Sequence, residues 1–155
     1  MKGSARVIDT LNSLLADELT ATSQYMVHAE MCENWGYDKL ADVIQKRAVE
    51  EMKHAEKLIS RILFLDGMPI VNQLRQMQIG HDVPEMFGSD HGLEAGAIKS
   101  YNNAVMVCGE EKDYATREIL ERILTDEDHH IDGIEEVQDE IGQMGLPVFL
   151  SSQLK

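Results

Sequence analysis

Positive charge, cysteine, proline and aromatic residues are all scarce in this 155-residue chain, and each shortage excludes something. Two cysteines, Cys32 and Cys108, are too few to staple a chain of this length into a disulfide framework. Three prolines and 5% aromatics fall short of the turn punctuation and strand-forming residues that a sandwich or barrel needs. Lys and Arg number 14 against 28 Asp and Glu, a net charge of −14 that protonating all 6 His would not reverse. Such a surface repels nucleic acid and anionic lipid and attracts cations, so no nucleic-acid partner is expected. No run approaches the ~20 apolar residues of a membrane span, and Met1–Arg6 leads straight into a periodic segment with no apolar leader core. A cytoplasmic location with no membrane partner is therefore expected.

What remains is enough for one core: 43% apolar residues against 27% charged, in the length of one ordinary domain. The apolar residues recur at helical spacing. A first helix over roughly 5–34 carries Leu11, Leu14, Leu15, Ala21, Tyr25, Met26 and Ala29 on one stripe and stops near Trp35-Gly36. A second, over roughly 38–65, carries Leu40, Ile44, Ala48, Ala55, Leu58, Ile62 and Leu65, and Gly67-Met68-Pro69 is expected to end it. Residues 66–82 show no sustained period and read as a long crossover. The third helix is expected to open at Asp82-Val83-Pro84-Glu85, an N-cap with proline and an acid in the first turn, and to run to about Cys108. The fourth runs from near Asp113 to Gly145, and Pro147 opens a short fifth. The fold class is all-α: a four-helix bundle in which one connection between the second and third helices runs the length of the molecule. Gly88, Gly92 and Gly96 fall one turn apart in the third helix. They mark either a close approach of another backbone or a loose first half.

The chain also repeats itself. Glu18 to Glu94, Glu51 to Glu127 and His54 to His130 are each a step of 76 residues, and Tyr25 to Tyr101 and Cys32 to Cys108 keep the same register. The whole of 1–155 thus reads as a single domain made of one helix hairpin used twice, about a pseudo-two-fold axis. Glu18 falls between Leu14/Leu15 and Ala21/Tyr25 on the apolar stripe, and Glu51 and His54, at i and i+3, fall between Ala48 and Leu58. The second hairpin repeats this placement. Four carboxylates and two imidazoles therefore meet inside one bundle, where they cannot stay charged without cations. Oxygen donors with one nitrogen per metal suit divalent iron or manganese, and the lack of thiolate argues against structural zinc. A metallohydrolase would need a substrate cleft, and no His-Glu-x-x-His is present. One Glu from each of two helices plus Glu-x-x-His from the other two resembles the ferritin-like di-iron and di-manganese proteins.

The resemblance narrows to bacterioferritin. It rests on Met1-Lys2-Gly3, Glu18-Leu19-Thr20-Ala21, Gln24-Tyr25, Asn34-Trp35-Gly36, Glu51-Met52-Lys53-His54-Ala55, Arg61 to Leu65, Val83-Pro84-Glu85-Met86 and His130-Ile131-Asp132, which span nearly the whole chain. The resemblance implies iron storage and detoxification in a hollow homomeric cage of 24 subunits built from dimers. Each bundle would hold a di-iron ferroxidase centre, and haem b would sit at each dimer interface. By position, Glu51 and Glu127 would bridge the two irons, Glu18 with His54 would complete one, and Glu94 with His130 the other. Fe(II) would be oxidised by O2 or H2O2, and a ferredoxin-type reductant would release the stored iron. Met52 breaks the repeat, since its counterpart is Asp128. It points about 100° away from Glu51, onto a second apolar stripe with Val49, Ile59 and Leu63. Its residue pattern reads as an interface methionine, and the resemblance makes it an axial haem ligand, one from each of two subunits.

Tyr25 reads as an electron donor, a hydrogen-bond partner of a ligand, or a core residue. Asp17, Glu50, Asp126 and Asp128 read as iron guides or as a solvated face. The sequence departs from the family at Lys46, where a His is frequent, and at Gly133, where a tryptophan is. Those departures keep a second reading open: a haem-bearing structural or electron-transfer cage subunit with an inactive di-metal site. A third is a di-manganese or peroxide-detoxifying oxidase.

Overall fold

The computed structural model describes all residues, 1–155, and contains five helices: α1 (Ala5–Asn34), α2 (Asp38–Phe64), α3 (Val83–Glu110), α4 (Tyr114–Met144) and α5 (Leu146–Ser152). Their starts follow from side chains that satisfy the first free N–H groups. Ser4 Oγ accepts from Val7 N at 3.4 Å, Asp82 Oδ1 from Glu85 N at 2.9 Å, and Asp113 Oδ1 from Thr116 N at 3.0 Å. Asp113 also takes the Thr116 hydroxyl at 2.6 Å, a double cap on α4.

The ends are less legible in the sequence. Gly36 turns the first hairpin at φ +85°, a conformation that suits glycine. Lys112, its counterpart one repeat later, turns the second hairpin at φ 56° without that freedom, and α3 runs on to Glu110 rather than stopping at Cys108. The pseudo-symmetry imposes the backbone on a residue that does not advertise it. At the end of α2 the left-handed residue is Asp66 (φ 60°), not Gly67. Gly67 serves packing instead, because a Cβ there would lie 2.8 Å from Ile8 Cγ2.

α1 and α2 form one hairpin and α3 and α4 the other. The two hairpins cross-pair antiparallel: Glu18 faces Tyr101 and His28 faces Asp90 between α1 and α3, while His54 faces Asp126 and Arg61 faces Asp113 between α2 and α4. Two apolar clusters fill the bundle. One holds Leu11, Leu15, Leu58, Ile62, Tyr101 and Leu120; the other holds Tyr25, Ile44, Met86, Phe87, Ile134 and Phe149. The acidic layer lies between them. Phe149 of α5 closes the far end, and Lys39 N donates to Gln153 O at 3.1 Å to hold it. Cys32 and Cys108 are fully buried, as small apolar groups are. Met26, expected on the core stripe, is 54% exposed on the outer side of α1.

The crossover is stitched to successive turns of α1. Asn12 donates to Met68 O and accepts from Ile70 N, Thr20 accepts from Arg75 N, Gln24 from Gln78 N, and His28 Nε2 from Gly80 N at 3.0 Å. That last bond fixes the tautomer, so His28 Nδ1 carries the proton and donates to Asp90 Oδ1 at 2.9 Å. Gln24 Nε2 donates to the same oxygen at 2.9 Å. This buried triad ties crossover, α1 and α3 together beside the acidic layer.

Candidate metal centre

All six side chains of the two Glu and Glu-x-x-His sets converge at mid-bundle. Glu94 and Glu127 are fully buried, Glu18, Glu51 and His54 are 1–2% exposed, and His130 is 7% exposed. They divide into two overlapping groups, Glu18–Glu51–His54–Glu127 and Glu51–Glu94–Glu127–His130, each with donor atoms within 4.8 Å of one another. Only Glu51 and Glu127 belong to both. Glu127 sends Oε1 to within 3.0 Å of His54 Nδ1 and Oε2 to within 3.5 Å of His130 Nδ1. Glu51 does the reverse, with Oε2 3.8 Å from His54 Nδ1 and Oε1 2.6 Å from His130 Nδ1. Each of these two carboxylates thus presents one oxygen to each half, the arrangement of a bridge.

These contacts are close yet lack hydrogen-bond alignment. Glu18 Oε2, Glu51 Oε1, His54 Nδ1, Glu94 Oε2, both oxygens of Glu127 and His130 Nδ1 are buried without a hydrogen-bond partner. Buried polar atoms are ordinarily paired. Six side chains whose free donors point at common positions rather than at one another fit a pair of divalent cations, and the all-oxygen-plus-imidazole set fits iron or manganese.

The surrounding groups orient this set in two-fold fashion. His54 Nε2 lies 2.8 Å from Asp126 Oδ2 and His130 Nε2 lies 2.5 Å from Glu50 Oε2. Tyr25 donates to Glu94 Oε1 and Tyr101 to Glu18 Oε1, each at 2.5 Å. Burial first, then the neighbouring Glu51, pushes the Glu18 carboxyl well above its usual range, and burial likewise pushes Glu94 up to about 9. For Glu51 burial acts upward but loses to the close approach of Glu18, His130 and His54, so its pKa is lowered. Glu127 is lowered too, burial being overcome by His130 and His54. Burial opposes protonation of His54, but contacts with Glu127, Glu18 and Glu51 outweigh it and raise its pKa to about 12; His130 is raised for the same reason.

A cavity of about 310 Å³ leads from the surface beside Arg75 and Gln76 to Glu18 and Glu51. Asp17, paired with Arg75 at 2.9 Å, stands on its wall. Gly92 and Gly96 line it as well. A Cβ at Gly88, Gly92 or Gly96 would meet nothing within 4 Å, and α3 runs unbroken through all three. Gly92 and Gly96 therefore leave this passage open, and no backbone of this chain approaches any of the three glycines.

Of the residues around the ligands, Glu50 and Asp126 touch the imidazoles, while Asp128 is exposed. Lys46 is exposed as well. Its neighbour Arg47 is the buried one. Its guanidinium lies 5.3 Å from the Tyr25 ring centre, with Nη2 3.9 Å from where a Gly133 side chain would begin. Met52 is 44% exposed on the outer face of α2 with Val49 and Leu63, whereas Ile59, expected on the same stripe, is half-buried against the bundle's own core. Sequence reasoning missed Tyr101 as a partner of Glu18, although its register with Tyr25 was the available signal. It also missed the His28–Asp90 pair, which carries no spacing signal at all.

The ferritin family profile, described as a ferritin-like domain, matches residues 8–144. Bacterioferritin of Rhodobacter capsulatus is 41% identical over 149 residues, covering 94% of this chain and 92% of that protein. Bacterioferritin of Streptomyces coelicolor is 38% identical over 155 residues, covering 100% of this chain and 93% of the relative. The chain belongs to the bacterioferritins. A third bacterioferritin, from Mycolicibacterium paratuberculosis, is 37% identical over 149 residues. No helix of this chain is long and apolar enough to cross a membrane.

Proposed function

We propose that this chain stores iron and oxidises it, with Glu18, Glu51, His54, Glu94, Glu127 and His130 holding two Fe(II) ions as substrate. The observation that carries the reading is the division of Glu51 and Glu127 between two donor groups, one oxygen to each. Two adjacent ferrous ions give up two electrons together: O2 takes them with two protons and leaves as H2O2, or H2O2 takes them with two protons and leaves as two waters. The protein's part is to hold both ions in one buried, charge-balanced layer, to orient the imidazoles through Asp126 and Glu50, and to admit ions past Asp17 and Glu18. The −14 charge favours cation arrival. As a single domain, this chain would assemble as dimers into a homomeric cage in the cytoplasm, with the mineral inside and a ferredoxin-type donor driving release.

Adding two Fe(II) per subunit to metal-free protein in air is the direct test. The wild type is expected to show fast, saturable ferric absorbance, and Glu94→Ala a rate lower by about 100-fold. Oxidation no faster than the buffer blank in the wild type would overturn the ferroxidase reading. The alternative, a subunit with an idle centre, finds no support in a donor set that is complete.

Haem b belongs to the same proposal. The Met52 thioether is exposed among apolar neighbours, free of its own bundle, and so fits a ligand shared between two subunits. Thioether ligation would raise the haem's reduction potential. Met52→Leu is expected to abolish the haem Soret band after reconstitution while leaving ferrous oxidation intact; haem retained in full would exclude Met52 as its ligand.

A further inference from the structure

We propose that the cavity between the crossover and α3 is an antechamber that takes in a divalent cation with its whole first shell of water, and that Gly92 and Gly96 keep it wide enough to do so. This rests on the di-metal reading above. The chamber holds about 310 Å³. Six waters around one ion occupy roughly 180 Å³ at about 30 Å³ each, whereas a bare ion needs almost none. Glu18 and Glu51 form the floor, where Glu18 Oε2 and Glu51 Oε1 are buried without a hydrogen-bond partner. Asp17, with one oxygen held by Arg75 Nε at 2.9 Å, stands at the mouth. Ser89, Ser100 and Gln76 add acceptor oxygens along the walls.

Nothing else in the structure calls for glycine at these two positions. Both lie inside an unbroken α3, where glycine weakens a helix relative to alanine. Neither has the positive φ that glycine takes easily, and a Cβ at either would meet nothing within 4 Å. What they supply is empty space beside the floor carboxylates. One repeat earlier, on α1, Gly92 and Gly96 correspond to Ala16 and Thr20, and Thr20 accepts from Arg75 N of the crossover at 2.8 Å. The crossover thus covers that face of α1, while the matching face of α3 stays open. An ion that arrives hydrated is held at first through hydrogen bonds from its waters to the chamber oxygens. It sheds those waters as Glu18 and Glu51 take their places, so no dehydration is required before a ligand is within reach.

Hexaamminecobalt(III) is the probe. It matches a hexahydrated cation in size and shape, offers N–H donors where that ion offers O–H, and cannot exchange its ligands for carboxylate. It would be added to the metal-free full-length protein at a salt concentration that screens surface attraction. About one should bind per subunit in equilibrium dialysis, and Co(II) entry, followed by visible absorption, should slow about tenfold, the lower end of what a focusing cleft supplies. The variant is Gly92→Leu combined with Gly96→Leu. Leucine favours helix, so this variant should melt above the wild type, and light scattering checks its assembly. It should still bind two Co(II), about tenfold more slowly, with no further slowing by the hexaammine. Co(II) entry at the wild-type rate in the variant, or hexaammine binding that leaves wild-type Co(II) entry unchanged, would overturn the antechamber. Loss of assembly in the variant would overturn it too, by giving the glycines to a subunit contact. Failure of the wild type to bind two Co(II) while one hexaammine still binds would instead remove the di-metal reading and leave the chamber as a cation site.

Discussion

Glu127→Ala is expected to lose both metals, not one. Its two oxygens approach the two imidazoles separately, Oε1 toward His54 and Oε2 toward His130, so the substitution removes a donor from each position at once. It also leaves two imidazoles, both with raised pKa values, short of the anion that balances them. Removing one partner from a buried ionic set costs roughly 3–5 kcal/mol, about a thousandfold in binding. Calorimetric titration with Co(II) or anaerobic Fe(II) should find no tight pair in Glu127→Ala, whereas Glu94→Ala, which lacks only a terminal donor, should keep one ion. Retention of two ions by Glu127→Ala would refute the bridging role.

The second large effect is in protons. With Glu18 and Glu94 pushed toward their neutral forms, Glu51 and Glu127 ionised, and His54 and His130 protonated, the metal-free layer balances two negative charges with two positive ones. Two divalent cations among four ionised carboxylates and two neutral imidazoles reach the same neutrality. Loading should therefore release about four protons per centre, one each from Glu18, Glu94, His54 and His130. Each released proton lowers the apparent binding constant about tenfold for every unit the pH falls. The sign is the same for stability. Raised pKa values mean that the metal-free fold holds protons the unfolded chain has given up. The contribution of Glu94 is complete below 4.5 and lost as pH rises to about 9, and that of His54 is complete below 6.5 and lost toward about 12. Above about 4.5, where the opposite contributions of the depressed Glu51 and Glu127 are already complete, metal-free protein should thus lose stability with rising pH while metal-induced stabilisation grows. Titrations in buffers of different ionisation enthalpy would count the protons; fewer than about one per metal would contradict this charge exchange.

Helices, hairpins and donor set were legible in the sequence because each is written in local spacing. Apolar residues at helical period place Glu18, Glu51 and Glu127 on inward faces, i and i+3 join each Glu to its His, and the 76-residue register doubles the pattern. What could not be read was choice among long-range partners. Lys112 takes a left-handed turn because it stands where Gly36 stands, which composition does not show. Arg47, not Lys46, turns inward, because the helical period brings it over Tyr25 and beside the open space at Gly133.

The sequence by itself determined an all-α bundle, its crossover, its repeat and six inward donors, since helix period and burial of apolar stripes leave few alternatives. The tertiary structure alone decided which oxygen of each carboxylate faces which imidazole, that Tyr101 takes one oxygen of Glu18 from 83 residues away, and that His28 and Asp90 lock the crossover from 62 residues apart. Such pairings depend on where two hairpins come to rest against each other. That position is set by the packing of the whole core, not by any local run of residues.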